Sequence, residues 1–259
     1  MSPIQIHPTT VNYLVTGANR GIGLEIVQQL ASKEDNVVIA GVRDPSTKAA
    51  KDLLRLSKNV IVVKIDSSSD TDAFQAAKSL QARGINHLDV VVANAGISTD
   101  WKSAKDVQPE DLRTVLNVNV VGPLTLFQAF VPLLEKSPIT PKFLIVSSAI
   151  ASMGFQRNLP YLATSYGASK AAVNFISLRI AIENPNIVSL ALHPGLVVTE
   201  MAKSAQESLG QDIESSVSEG TAITPQQSAE GILKLAHEST LPSHSGKFFN
   251  ATDGTELPW

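Results

Sequence analysis

The sequence predicts an α/β fold, doubly wound around a seven-stranded parallel sheet with helices on both faces. Short apolar runs alternate along the chain with segments of helical spacing, which is the pattern of strands joined by right-handed βαβ crossovers. The runs are mostly unbroken and rich in β-branched residues, as strands buried on both faces are. The seven predicted strands are residues 11–16, 36–42, 59–65, 88–93, 142–147, 187–193 and 247–250.

Three segments between these strands have apolar residues at helical spacing, namely residues 22–30, 111–134 and 168–182. No Pro-, Gly- or Ser-rich linker interrupts the alternation of strands and helices. A chain of 259 residues fits one or two domains by length. We therefore expect a single domain that spans residues 1–259.

The alternation fails at two places, residues 154–164 and residues 199–225, which follow the fifth and sixth predicted strands. In open α/β sheets, ligands bind beyond the carboxyl ends of the strands. Because both irregular segments begin at such ends, we expect them to form the walls of a substrate site.

Composition excludes several classes of protein. The chain has no cysteine, which rules out disulfides, zinc–thiolate sites and cysteine nucleophiles. The net charge is −3 and no basic patch occurs, so neither nucleic acid nor an anionic membrane is an expected partner. The histidines do not have metal-binding spacing, and no metal is expected.

The N-terminal region predicts no targeting to a membrane or to secretion. It lacks a charged segment followed by an apolar run, as a secretory signal requires. No stretch of 18 apolar residues follows elsewhere. The expected location is the cytoplasm.

The first predicted strand leads directly into a glycine-rich turn with the sequence Thr16-Gly17-Ala18-Asn19-Arg20-Gly21-Ile22-Gly23. Gly17 permits the tight turn, Gly21 lets the backbone approach a pyrophosphate, and Gly23 lets the following helix pack closely on the strand. The helix N-terminus then offers N–H groups to phosphates. This position between strand and helix predicts a dinucleotide site.

The end of the second strand indicates which dinucleotide binds. Val42 occupies the position at which an NAD site has a ribose-binding carboxylate. The guanidinium group of Arg43 is suited to bind a 2′-phosphate. Arg20 adds a second positive charge. The prediction is NADPH, with one open point: Asp44 weakens the preference if its carboxylate points toward the phosphate.

Tyr166 and Lys170 are four residues apart at the start of a predicted helix, so they share one helix face. A phenol has an unperturbed pKa near 10, and a nearby ammonium lowers it. We expect Tyr166 to give a proton to a carbonyl oxygen. Ser148, at the end of the fifth strand, supplies a hydroxyl that holds the same oxygen.

Over essentially its whole length, the chain resembles a classical short-chain dehydrogenase/reductase. The matching blocks occur in the family's order, and they are Thr16 to Gly23, Asp66, Asn94-Ala95-Gly96, Asn119-Val120-Val121-Gly122, Ser148, Tyr166 to Lys170, and Pro194 to Thr199. The resemblance implies a Rossmann-type fold and an enzyme that reduces a carbonyl compound with NADPH.

The resemblance also implies roles for single residues. Tyr166 is the acid and base, Ser148 orients the carbonyl, Lys170 lowers the pKa of Tyr166 and binds the nicotinamide ribose, and Asn119 holds a water that links Lys170 to solvent. Asp66 contacts adenine, and Asn94 braces the central strands. The full set of implied cofactor residues is Gly17, Asn19, Arg20, Gly21, Ile22, Gly23, Arg43, Asp66, Ser67, Asn94, Ala95, Gly96, Tyr166, Lys170, Pro194, Gly195, Val197 and Thr199.

Three features are similar to a narrower subgroup, the norsolorinic acid ketoreductase-like proteins of fungal polyketide pathways and the related C-factor-like carbonyl reductases. They are the wide spacing between Ser148 and Tyr166, the run at residues 87–95 and the ending at residues 253–259. This resemblance implies a ketone on a bulky apolar or aromatic substrate. Trp101, Phe155, Tyr161, Leu196 and Met201 are candidate lining residues of an apolar pocket.

Three functions fit these residues: a ketoreductase, a non-catalytic NADP(H)-binding signalling protein, and an NAD-dependent alcohol dehydrogenase. The intact set of Asn119, Ser148, Tyr166 and Lys170 favours an enzyme. Residues 111–134 and 168–182 carry more apolar residues than one core-facing stripe requires. The resemblance implies that these helices pair across a two-fold axis, which predicts a homodimer or homotetramer.

Overall fold

The computed structural model of the protein describes residues 10–159 and 161–259. Within these residues, seven parallel strands form one sheet in the order β3-β2-β1-β4-β5-β6-β7, which confirms the predicted fold class. Several of these strands are one or two residues shorter than predicted. The strands are β1 (Val11–Thr16), β2 (Asn36–Val42), β3 (Val60–Lys64), β4 (Val90–Ala93), β5 (Lys142–Val146), β6 (Val188–His193) and β7 (Phe248–Asn250).

Helices connect the strands and cover the sheet. They are α1 (Gly21–Ala31), α2 (Lys48–Leu53), α3 (Asp72–Ala82), α4 (Pro109–Leu116), α5 (Gly122–Leu134), α6 (Thr164–Glu183), α7 (Glu200–Ser208), α8 (Ile213–Ser218), α9 (Pro225–Glu238) and α10 (Leu241–His244). Strand order reverses between β1 and β4, both of which pair in parallel. The carboxyl ends of these two strands therefore open the crevice in which α/β sheets bind ligands.

The core consists of two apolar layers, one on each face of the sheet. In one layer, α3, α5 and α6 pack side chains such as Leu80, Phe130 and Ile180 on the sheet. In the other, α1 and α9 contribute Ile26 and Ile232. Every residue of β2 is buried. Burial on both faces explains why the strands are nearly continuous apolar runs in the sequence.

The predicted helical segment 111–134 is interrupted by a π-turn. The structure has α4, the π-turn (Asn117–Val121) and α5 in direct succession. By length and composition alone, the run Pro109–Leu134 is apolar enough to cross a membrane, although the sequence reading found no such stretch. It packs against α3, α6, β4 and β5, as a core helix does.

The two irregular segments contain more helix than the sequence predicted. In residues 199–225, Thr199 caps the N-terminus of α7 by accepting from the N–H of Ala202, and Asp212 caps α8 in a similar way. Both helices are short and mostly polar, so they have no apolar stripe that the pattern could reveal. In residues 154–164 a 3₁₀ turn (Gln156–Asn158) precedes α6, which already includes Thr164. Residue 160 and residues 1–9, part of the region assessed for a secretory signal, lie outside the described part of the chain.

Candidate active site

The glycine turn after β1 has the geometry that a dinucleotide requires. Gly17 and Gly21 have left-handed φ angles of +65° and +54°. A Cβ on Gly23 would lie 2.3 Å from the carbonyl oxygen of Gly17, so only glycine lets α1 begin this close to the strand. The first turn of α1 contains no acidic residue, and its positive end remains available to an anion. The turn therefore fits the pyrophosphate of a nicotinamide dinucleotide.

Asn94 fastens the glycine turn to the end of β4. Its backbone N–H donates to the Thr16 hydroxyl at 3.1 Å, and its side-chain amide donates to the Thr16 carbonyl at 2.8 Å. The N–H of Ala95 shares the Thr16 hydroxyl. This is the bracing of central strands expected of Asn94. The sequence analysis assigned no role to Thr16, which accepts three of these bonds.

Arg20 and Arg43 both lie exposed near the carboxyl ends of β1 and β2. Asp44 is engaged by its own loop, since its carboxylate accepts from the backbone N–H of Ser46 at 2.8 Å. The bonds from Ser46 hold the pKa of Asp44 below its usual range. The Asp44 carboxylate, on whose direction the predicted preference for NADPH depends, is thus a hydrogen-bonded anion within the loop that follows Arg43.

Asp66 and Ser67 follow β3 and line a small cavity with Thr16 and Ala95. The Asp66 carboxylate accepts from the backbone N–H and the hydroxyl of Ser68. A Cβ on Gly122 would lie 2.7 Å from the carbonyl oxygen of Ser67, so the first residue of α5 approaches this loop closely. The residues expected at the adenine end therefore lie beside the glycine turn.

Ser148, Tyr166 and Lys170 lie together beyond the end of β5. Tyr166 is in the first turn of α6, and the Ser148 hydroxyl is close enough to its phenol to lower the pKa of Tyr166. The Lys170 ammonium donates to the carbonyl of Val146 at 2.7 Å and lies 5.6 Å from the centre of the Tyr166 ring. The structure thus brings the three predicted side chains into one site, held by one strand end and one helix.

Burial dominates the proton affinities of this site. It raises the pKa of Tyr166 to about 12, opposed by the hydrogen bond with Ser148, and it lowers the pKa of Lys170 to about 8. In the protein alone, burial thus outweighs any lowering of the Tyr166 pKa, and the effect predicted for Lys170 stays a prediction. The lysine is itself desolvated and turns its ammonium to the Val146 carbonyl. Loss of water penalises the charged form of both groups.

Asn119 is buried within the π-turn, and its amide binds two other elements. Its Nδ2 donates to the Ile97 carbonyl at 2.8 Å and to the Ser169 hydroxyl at 3.0 Å, while its Oδ1 accepts from the Ile97 N–H. Both amide protons are used within the protein. A water that links Lys170 to solvent must therefore bind another atom of Asn119. A Cβ on Gly96 would lie within 3.4 Å of both Asn119 Oδ1 and Lys170 Nζ, so the three residues are neighbours.

Ser169 is a site residue to which the sequence analysis gave no role. Its hydroxyl accepts from Asn119 and donates to the carbonyl of Tyr166 at 2.7 Å. It is fully buried. Its position three residues after Tyr166 places it one helical turn away, but spacing alone did not reveal the contact with the π-turn.

The loop after β6 closes the far side of the crevice. Gly195 has a left-handed φ of +92°, and a Cβ there would lie 2.8 Å from the Ile223 side chain. The backbone of Val198 donates to the Ile223 carbonyl. A Cβ on Gly21 would lie 3.6 Å from the Thr199 side chain. The two ends of the expected cofactor site, the glycine turn and the segment Pro194 to Thr199, are therefore adjacent.

Trp101 lies beside the ring of Tyr166, and Tyr161 lies beside Trp101; we call the pair Trp101 and Tyr161 the aromatic wall. The Trp101 ring centre lies 5.6 Å from that of Tyr166 and 6.5 Å from that of Tyr161. The other candidate pocket residues, Phe155, Leu196 and Met201, are partly exposed. The structure thus places one of the five candidates, Trp101, beside Tyr166 and a second, Tyr161, beside Trp101.

The distinctive C-terminal residues contact the loop that follows Ser148. The Trp259 ring stacks on Phe248 with ring centres 5.8 Å apart. The Trp259 carbonyl accepts from the Gly154 N–H at 3.3 Å, and a Cβ on Gly154 would lie 3.4 Å from Pro258. The segment at residues 253–259 therefore supports one of the irregular segments beside the site.

Comparison with known proteins agrees with this geometry. Residues 12–210 match the short chain dehydrogenase family. The chain is 36% identical to the short-chain dehydrogenase RED3 of Pyricularia oryzae, covering 97% of this chain and 98% of that protein. It is 33% identical to the norsolorinic acid ketoreductase of Aspergillus parasiticus, covering 97% and 92%. Among solved structures, the NADPH-bound carbonyl reductase from chicken fatty liver is similar with a TM-score of 0.84 and 29% identity, covering 96% and 99%.

Proposed function

This chain belongs to the short-chain dehydrogenase family, and we propose that it reduces a ketone to an alcohol with NADPH, on a bulky apolar or aromatic polyketide-like substrate. The family makes it an oxidoreductase with a nicotinamide cofactor. The observation that carries the proposal is the buried Tyr166 phenol beside the Ser148 hydroxyl, with the Lys170 ammonium 5.6 Å from the centre of the Tyr166 ring.

The residues of this chain have separate tasks in the reduction. A nicotinamide dinucleotide, with its pyrophosphate held at the glycine turn, would supply the hydride. Tyr166 holds a proton at its phenolic oxygen and donates it to the carbonyl oxygen as negative charge develops there. Ser148 donates a hydrogen bond to the same oxygen, and Lys170 contributes positive charge from its position at the end of β5.

The proton affinity of Tyr166 supports the reductive direction. With its pKa raised to about 12, the phenol keeps its proton at neutral pH and is ready to act as an acid. Oxidation of an alcohol needs the phenolate as a base, and burial disfavours that form. The form of Tyr166 that burial favours is thus the one that the proposed reduction uses.

The cofactor preference rests on charge at the end of β2. Arg43 is exposed there, Arg20 is exposed in the glycine turn after β1, and Asp44 is hydrogen-bonded to Ser46. An arginine fork binds a phosphate in two places at once. The similar chicken carbonyl reductase is an NADPH-bound structure. These observations support NADPH over NADH.

The substrate class rests on the aromatic wall and on apolar side chains at the mouth of the site. Met153 is 74% exposed and Leu162 is 48% exposed in the segment between Ser148 and Tyr166. The similarity to norsolorinic acid ketoreductase points to the same kind of substrate.

We propose the cytoplasm as the place of this reaction.

The experiment is a panel of aliphatic, aromatic and polyketide-like ketones, with loss of NADPH absorbance as the signal. We expect Tyr166→Phe to bind NADPH normally and to lose about 10²- to 10⁴-fold in kcat/KM, the range for general acid catalysis. Tyr13→Phe, in β1, is the matched control and retains activity. A Tyr166→Phe variant within about threefold of the parent contradicts the mechanism. Failure of the parent on every ketone favours a non-catalytic NADP(H)-binding protein.

A further inference from the structure

We propose that Trp101 is a specificity-determining residue, through which the aromatic wall makes the site prefer aryl ketones over saturated ketones of equal size. The inference rests on the proposed function. It adds a preference for an aromatic ring directly beside the reacting carbonyl, and it assigns that preference to one side chain.

The position of Trp101 relative to Tyr166 limits where a substrate can lie. A carbonyl oxygen that takes the Tyr166 proton must come within about 3 Å of the phenolic oxygen. The Trp101 ring centre lies 5.6 Å from the Tyr166 ring centre at an angle of 56°. A group attached to that carbonyl can therefore reach Trp101, and Tyr161 is the ring next to Trp101.

Hydrogen bonds on both sides hold Trp101 in place. The Asp100 carboxylate accepts from the Ser165 hydroxyl at 2.8 Å, and the Lys102 carbonyl accepts from the Thr164 N–H at 3.4 Å. Ser165 and Thr164 belong to the first turn of α6, which also carries Tyr166. The distance between Trp101 and Tyr166 is thus fixed. Little conformational entropy of the protein is therefore lost when a substrate ring packs against Trp101.

Charge near the wall is already paired. The Asp100 carboxylate is largely buried and lies 3.4 Å from the Lys102 ammonium. Burial raises the pKa of Tyr161, which therefore remains an uncharged phenol at neutral pH. The surface that faces the substrate at Trp101 and Tyr161 is consequently aromatic and neutral.

A neutral aromatic surface distinguishes an aryl ring from a saturated ring of the same size. Both bury similar apolar area, but only the aryl ring gains the offset or edge-to-face interaction between π systems. The usual strength of one such pair corresponds to about threefold to tenfold in binding. The preference should therefore be of that size and depend on the Trp101 ring.

The kinetic test compares acetophenone with cyclohexyl methyl ketone, which differ in the aromaticity of one ring. We expect Trp101→Leu to lower the ratio of their kcat/KM values by about threefold to tenfold, mainly through acetophenone, and Trp101→Phe to keep most of the ratio. Phe74→Leu, an exposed aromatic residue on α3, is the matched control and leaves the ratio unchanged. An unchanged ratio in Trp101→Leu, or an equal loss on both ketones, overturns the inference.

A binding test separates this inference from the proposed function. The chain has two tryptophans, so Trp259→Phe leaves Trp101 as the single tryptophan reporter, and Trp101→Phe leaves Trp259. We expect acetophenone to quench the fluorescence of the Trp259→Phe protein in a saturable way and that of the Trp101→Phe protein only weakly and linearly. Saturable quenching in a protein whose parent reduces no ketone of the panel supports the aryl site and contradicts the reductase. Turnover without saturable quenching contradicts the aryl site alone.

Discussion

Asn119 donates through its side-chain amide to the Ser169 hydroxyl at 3.0 Å, and this bond joins the π-turn to α6. The Ser169 hydroxyl in turn donates a hydrogen bond to the carbonyl of Tyr166. The Asn119 amide also accepts from the N–H of Ile97 and donates to its carbonyl, in the loop after β4. One buried amide thus fixes the distance between the loop after β4 and the helix that carries Tyr166 and Lys170.

Removal of the Ser169 hydroxyl should destabilise the protein measurably. Ser169→Ala leaves a buried N–H of Asn119 without its acceptor, which costs about 1–3 kcal/mol. Urea unfolding measures this change. Ser218 makes the same local bond to a carbonyl three residues earlier but is exposed, so Ser218→Ala should stay within about 0.5 kcal/mol. Equal effects of the two variants would show that the Asn119 contact contributes nothing.

The pH dependence of reduction should follow Lys170 rather than Tyr166. Lys170 loses its proton as the pH rises through about 8, whereas Tyr166 keeps its proton up to about 12. We therefore expect kcat/KM for ketone reduction to be level near pH 7 and to fall through about pH 8. Initial rates in a constant-ionic-strength buffer series test this. A profile that stays level to pH 10 contradicts the role of the ammonium.

The same buried lysine should weaken the folded state at neutral pH. Its pKa falls from 10.5 in the unfolded chain to about 8, so the cost of burying the ammonium is full below pH 8 and disappears as the pH rises toward 10.5. Lys170→Met should raise the free energy of unfolding at pH 7 by an amount on the order of 2 kcal/mol, and by less at pH 10. Lys78→Met, on an exposed position of α3, serves as the control and should show no such trend.

Arg43 should select the phosphorylated cofactor. Arg43→Ala removes a charged hydrogen-bonding partner of the 2′-phosphate, which weakens NADPH binding by about 1.5–3 kcal/mol and leaves NADH binding nearly unchanged. Calorimetric titration of both cofactors into both proteins measures the difference. Arg83→Ala, exposed at the end of α3, is the control. A parent protein with equal affinity for the two cofactors contradicts the preference.

We propose that α5 and α6 pair with a second copy of the chain, giving a homodimer or homotetramer. Phe175 and Ile182 on α6 are 62% and 58% exposed in the single chain. Phe175→Glu should place a charge in this interface and yield monomers in sedimentation at micromolar concentration. Phe74→Glu on α3 should leave the assembly intact. A parent protein that sediments as a monomer rules the interface out.

Local patterns predicted much of the site because its parts follow strand ends. The glycines at Gly17 and Gly23 and the pair Tyr166 and Lys170 are specified by a turn and by one helical repeat, which short windows of sequence show. The π-turn at residues 117–121 and the polar helices α7 and α8 were not predicted. The apolar spacing of the π-turn differs little from that of an ordinary helix, and α7 and α8 have no apolar stripe. Tertiary contacts therefore decide the form of these segments.

The sequence by itself determined the parallel sheet and the place of the glycine turn, since each depends on residues close together in the chain, and its resemblance to the family predicted the candidate reacting side chains. Only the tertiary structure decided the proton affinities of Tyr166 and Lys170, the anchoring of Asn119 by Ser169 and the position of Trp101 beside Tyr166. These depend on desolvation and on contacts between segments some 50 or more residues apart, as between Asn119 and Ser169. Water is excluded by whatever packs around a group, and no local window of sequence contains that information.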